Sequence, residues 1–203
     1  MKFIKGAAFA AAFLALGLSS ASAASLTSLV GDKDGFGGAF ATDVPDNVDG
    51  PTNYNNTSGG DLAFHDVWLF EQNGGIAGSP LEFMHVYDMP MNPVSATFSI
   101  NVQGMGDGPR VWDVVFNDVV IGQITSPGSR LARLLSFDVA VDLLTGSDMV
   151  ALVLAVDIGE GYAVNFSELA IETATAPVPL PGALPLLATA LAGFSVRQRM
   201  RRR

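Results

Sequence analysis

Cysteine is absent from all 203 residues, which excludes a disulfide framework, a thiolate metal site and a cysteine nucleophile. Histidine occurs twice, as His65 and His85, and neither HExxH nor HxH spacing is present, so no zinc pattern exists. There is no Gly-x-Ser-x-Gly elbow, and "GSRLARLLS" lacks the strand–turn–helix setting that a serine nucleophile needs. Two carboxylates for glycoside hydrolysis can be picked from 20 acidic residues in many ways, but nothing fixes a separation between them. These shortages argue against an enzyme and leave a polysaccharide hydrolase as the third reading.

Basic charge is scarce too. Between Ala24 and Ala176 only Lys33, Arg110, Arg130 and Arg133 stand against all 20 acidic residues, a net charge of −16. A polyanion of that density repels nucleic acid and anionic lipid headgroups. Its oxygen-rich surface suits a hard divalent cation such as calcium.

The remaining basic residues sit at the two ends. Lys2 and Lys5 precede an apolar run from Phe9 to Leu18, and Ser22-Ala23 places small residues before Ala24. That order is expected of a secretory signal peptide over residues 1–23, whose apolar run is too short to span a bilayer comfortably. At the other end, Leu180 to Val196 would span about 25 Å as a helix, just short of a hydrocarbon core. Arg197, Arg199, Arg201, Arg202 and Arg203 follow it and favour the cytoplasmic side, leaving the domain outside the inner membrane.

The stretch between the ends, residues 24–176, alternates with period two. Val94, Ala96, Phe98, Ile100 and Val102 share one face, as do Leu135, Phe137, Val139, Val141 and Leu143. Val150 to Ile158 is apolar on both faces, the pattern of a central strand. Val111–Phe116 and Val119–Ile124 flank Asn117-Asp118, which predicts a tight hairpin. Both histidine segments, Leu62 to Glu71 and Leu81 to Asp88, read as strands. In the last strand the apolar phase shifts between Phe166 and Leu169, which predicts a bulge near Ser167 or Glu168. Short strands separated by turn signals predict an all-β, jelly-roll-like β-sandwich, with a signal-peptide helix before it and one hydrophobic helix after it.

The acidic residues cluster in two places. "GDKDGFGG", Gly31 to Gly38, sets Asp32 and Asp34 two apart before Gly35, so that their carboxylates can converge on one cation. An EF-hand continuation fails, because its twelfth position is Asp43 rather than glutamate. The long polar loop from Asp43 to Asp61 offers Asp43, Asp46 and Asp49 as further calcium ligands, and its Tyr54 is a candidate for stacking on a sugar ring. Trp112 shares the phase of Val114 and Phe116 and is expected in the core.

Val178, Pro179, Leu180, Pro181 and Gly182, followed by an apolar segment and the arginine cluster, resemble the VPLPA-CTERM sorting signal, a variant of the PEP-CTERM class. Gly182 stands where that signal has alanine, and Pro185 interrupts the start of the helix. The resemblance implies processing of residues 177–203 by an exosortase, a membrane-held precursor, and delivery to the outer surface or extracellular space. It also implies a structural or adhesive role in exopolysaccharide or biofilm. The hairpin followed by a terminal strand, Gly161 to Glu172, is similar to galactose-binding-like sandwiches. That likeness implies the alternative of a carbohydrate-binding module with a structural calcium.

Overall fold

The computed structural model describes residues 24–51, 55–69, 80–104, 111–125, 130–156 and 161–174, without the side chains of 155 and 156. The signal peptide, the sorting motif Val178–Gly182, the arginine tail and Tyr54 lie outside the described residues.

Two antiparallel sheets form a sandwich. The five-stranded sheet has the order β1 (Ser25–Gly31), β9 (Ala163–Thr173), β4 (Pro93–Gln103), β7 (Leu131–Val139), β2 (Val48–Asp49). The four-stranded sheet runs β3 (Leu81–Val86), β8 (Ser147–Val156), β5 (Val111–Phe116), β6 (Val119–Thr125). Alternation assigns the faces: β3 buries Leu81, Phe83 and His85 and exposes Glu82, Met84 and Val86. One core between the sheets takes Phe83, Trp112, Val114, Phe116, Val150 and Leu152 from the smaller sheet. The larger sheet contributes Ala96, Phe98, Ile100, Val102, Leu169 and Ile171. Strand β8 is interior to its sheet, as its two apolar faces predict. Val94 is the exception on β4, 58% exposed beside a register shift between Pro93 and Ser95.

The β5–β6 hairpin turns through Asn117 (φ 46°) and Asp118 (φ 66°), two successive left-handed residues, as a tight type I′ connection requires. Asn117 also ties this turn to the rest of the sheet. Its amide donates to the Leu143 carbonyl and to Asp148 Oδ1, both at 2.8 Å, and its Oδ1 accepts the Met149 N–H. The carbonyl that it holds belongs to a departure from simple alternation: β7 stops at Val139, and Val141–Leu143 form a short 3-10 turn instead of continuing the strand. Val141 and Leu143 still pack on the core, so the alternation reported burial correctly and extension incorrectly.

The bulge in β9 also falls earlier than predicted. Asn101 pairs with Phe166 and Val102 with Val164, so Asn165 is the extra residue. Its side chain holds it there: Nδ2 donates to Asn101 Oδ1 at 3.0 Å, and Oδ1 accepts the Phe36 N–H at 3.2 Å. Phe166 is therefore already on the outer face, under the Lys33 ammonium at 5.1 Å. The segment from Leu62 forms isolated bridges at His65, Val67 and Leu69 in place of the expected strand.

Two buried polar groups hold the sandwich together. His85 lies between the sheets, with Nδ1 3.2 Å from Ser28 Oγ on β1 and Nε2 3.1 Å from Ser167 Oγ on β9. Burial pushes its imidazole down to about 4, against smaller opposing effects from Ser28 and Asp148. Asp148, fully buried, accepts from Tyr87 Oη, Asn117 Nδ2, and both the N–H and hydroxyl of Thr145. Burial alone would raise its carboxyl, but these donors hold it below the ordinary value.

A depressed histidine means the unfolded chain binds the proton more readily, so this stability is fully present above about pH 6.5 and is lost towards pH 4. Denaturant melts should show up to about 3 kcal/mol lost across that window through His85. His65, also lowered to about 4, adds a parallel loss. His85→Gln should lower the slope by the one proton that His85 takes up on unfolding; an unchanged slope would show that His85 is not buried neutral. Asp148→Ala, which strands several donors, should cost about 3 kcal/mol or more by the same measurement.

Candidate metal centre

The glycine-rich stretch after β1 makes an unusual turn. Gly35, Phe36, Gly37 and Gly38 have φ of 75°, 58°, 65° and 78°, four consecutive left-handed residues. Only glycine takes that region freely; a side chain there costs about 1–2 kcal/mol. Phe36 is the one non-glycine, and its complete burial offsets the strain, since enclosing such a ring gains about 1.5–3 kcal/mol. The Asp34 side chain closes the turn by accepting the Gly37 N–H at 2.8 Å. In Asp32-Lys33-Asp34 the middle residue departs from its neighbours: Lys33 pairs with Glu168 and lies over Phe166.

A second segment completes the site. Residues 55–58 run out, residues 59–64 turn, and residues 65–69 return beside β9, where the Asp66 N–H donates to the Val164 carbonyl at 3.0 Å. It lies close on the end of β1: a Cβ at Gly31 would fall 2.6 Å from the Asn165 carbonyl oxygen and 2.9 Å from His65 Cε1. Ser58 joins the segments by donating its hydroxyl to Asp32 Oδ2 at 2.7 Å and its N–H to Asp61 Oδ2 at 2.8 Å.

Asp32, Asp61 and Asp66 thereby offer carboxylate oxygens that all lie within 4.8 Å of one another. The oxygens that converge are short of donors. Asp32 Oδ1, Asp61 Oδ1 and both oxygens of Asp66 are buried without a hydrogen-bond partner. Asp66 is wholly enclosed, at a positive φ of 54°. Burial, then the charges of Asp34 and Asp61, pushes its carboxyl up to about 9. Asp34 is raised as well, by burial first and by Asp32 and Asp61, against the opposing Gly37 bond.

Histidine does not supply the missing positive charge. His65 Nδ1 accepts the Leu62 N–H at 3.0 Å, and burial lowers the ring to about 4 despite Asp61 and Asp32. A hard cation would. Calcium binds oxygen at 2.3–2.6 Å, so three oxygens within 4.8 Å of one another can share a single ion. The residues fit the group. The Asp61 side chain has no solvent exposure and Asp66 has none either, whereas Asp32 is half-buried at the edge of the cluster.

Of the predicted ligands, Asp32 lies in the cluster and Asp34 beside it. Asp43, Asp46 and Asp49 are exposed, on the segment ending in β2. Asp46 Oδ1 accepts the Leu134 N–H, the Asp43 carbonyl accepts from Asn165, and Asp49 pairs with Leu131. Asp61 and Asp66 were not foreseen as ligands. The available signal was an acid inside the apolar run "LAFHDVWLF", where a carboxylate needs a partner once buried.

No family model and no curated protein matches the chain. Among solved structures it is similar to dimeric latent PorU from Porphyromonas gingivalis, at 11% identity and a TM-score of 0.45. That match covers 77% of this chain and 14% of PorU, so the chain spans a small part of that protein's length. It is also similar to the carbohydrate-binding module CBM36 in complex with calcium and xylotriose, at 19% identity and a TM-score of 0.34, over 51% of this chain and 78% of that one.

Calcium should raise the melting temperature of the chelated protein by about 5–10 °C at saturating concentration. Asp66→Asn replaces the stranded carboxylate with a neutral amide. It should raise the melting temperature in chelator and abolish the calcium response. A variant that kept the wild-type response would exclude Asp66 as a ligand.

Proposed function

We propose that this protein is an exported, non-enzymatic β-sandwich, jelly-roll-like in its path and stapled by calcium, with a structural or adhesive role in exopolysaccharide or biofilm outside the cell. The observation that carries this reading is the enclosed carboxylate centre joining Asp32 to Asp61 and Asp66. Such a centre lacks the charge to close itself, and a calcium-rich exterior supplies it. Two of the three carboxylates, Asp61 and Asp66, have side chains closed to solvent, which suits a staple better than the two accessible carboxyl groups of a hydrolase.

The chain ends supply the route in this reading. The signal peptide directs export. The segment after Val178 holds the precursor in the inner membrane with its arginines inside, and an exosortase releases the domain to the surface. A carbohydrate-binding module is the form of adhesion favoured by a specific observation, the half-buried Trp68.

Fractionation of cells producing the full chain tests the route. The domain should appear outside the cell shortened at its C-terminal end, and replacing the five terminal arginines with glutamate should block that release. Quantitative retention of the unshortened wild-type chain in the inner membrane would contradict it.

A further inference from the structure

The smaller sheet ends in a strand with one neighbour. Among the described residues β6 pairs only with β5, and it is the last in the order β3, β8, β5, β6. An edge of this kind is a template for another chain, and native proteins blunt it with lysine, proline or an inward-pointing charge. Val119–Thr125, "VVIGQIT", has none of these, and its one guard is a bulge at Ile121. Val119 and Val120 are 43% and 55% exposed, and Gln123 and Thr125 are exposed as well. From within, the strand is backed by β7: a Cβ at Gly122 would fall 2.3 Å from Phe137 Cδ1, so the ring lies directly on the backbone.

Charge along this edge complements itself. Arg133, one of only four basic residues between Ala24 and Ala176, reaches across from β7 to the Thr125 end. Its Nη1 donates to the Thr125 carbonyl at 2.9 Å, which leaves its other N–H groups for a carboxylate. Asp118 stands exposed at the opposite end, in the turn that opens β6. We propose that β6 is a self-association edge, through which two copies join their four-stranded sheets into one continuous antiparallel sheet. A two-fold axis near Gly122 sets Val119 of one copy opposite Thr125 of the other. Each Arg133 then meets Asp118 of the second copy, so the same ion pair forms twice, as an isologous contact requires. A domain of charge −16 repels its own copies, which confines contact to an edge where acid and base are matched. The other uncharged edge, β1, lacks this pattern: Lys33 beside it is already paired with Glu168, and Ser28 ties it to His85 of the opposite sheet.

Self-association goes beyond the structural or adhesive reading and needs neither the calcium centre nor the export route. Sedimentation velocity of the full chain in neutral detergent, over a range of concentrations, measures it. Contacts as short as this strand lie at the small end of specific interfaces, so a dimer with a dissociation constant of about 1–100 µM is expected. Val120→Lys, which puts a like charge on both edges, and Arg133→Glu, which sets acid against Asp118, should each weaken the dimer by about tenfold or more. The calcium response of the melting curve should stay intact in both. If Arg133→Glu fails to fold, Arg133→Gln should weaken the dimer in the same direction but less. Because the chain has no cysteine, Gln123→Cys introduces a single thiol. It should join two chains through a short bis-maleimide, whereas Ser136→Cys, exposed on the outer face of the other sheet, should not.

A chain still monomeric at about 0.1 mM would overturn the proposal, since the expected dimer is then well populated. So would a dimer undiminished by Val120→Lys and Arg133→Glu, the result expected if the hydrophobic segment after Leu180 holds the copies together. Cross-linking through Ser136→Cys as strong as through Gln123→Cys would overturn it too. Export, processing and calcium binding are read by other measurements, so failure here is distinguishable from theirs.

Discussion

Mutual repulsion among a few buried carboxylates is the constraint around which this sandwich is arranged. Asp66 is enclosed with both oxygens lacking a donor, beside Asp61 and Asp32. A charge cannot be buried unpaired at a cost a marginally stable domain can bear. Without a cation the site keeps a proton on Asp66, which is what a carboxyl pushed up to about 9 means. With a divalent cation the same oxygens become ligands, and two segments far apart in sequence are fastened together. The domain has no cysteine, so a cation held between these carboxylates is the cross-link open to it in place of a disulfide.

Asn165 links that centre to the fold. As the extra residue of β9 it interrupts the ladder, and its side chain holds the Phe36 backbone on one side and Asn101 on the other. Phe36 belongs to the left-handed turn after Asp34, so the bulge and the acidic loop are locked to each other. The same bulge brings Ser167 inward to meet His85, which joins the two sheets. One inserted residue therefore sets the register of the core, the position of the loop and the partner of the interior histidine.

Much of the fold was legible in the sequence, because period-two alternation is local and the β5–β6 turn depends on only two residues. Asn117 and Asp118 tolerate left-handed backbone wherever they occur. The chain beyond Val139 was less legible, since a 3-10 turn can bury Val141 and Leu143 as well as a strand does. The site was half legible. Asp32 and Asp34 announce themselves through local spacing, whereas Asp61 and Asp66 join them only because a distant segment folds back along β9. Asp43, Asp46 and Asp49 stand out by composition, which cannot tell a ligand from a residue like Asp46 that caps a backbone N–H.

The central claim is that the enclosed carboxylates are a calcium site. Equilibrium dialysis of the full chain against radioactive calcium tests it most directly, with Asp66→Asn measured alongside. The structure predicts a single tightly held ion per chain and its loss in the variant. No retained ion in the wild type, or equal retention by Asp66→Asn, would contradict it.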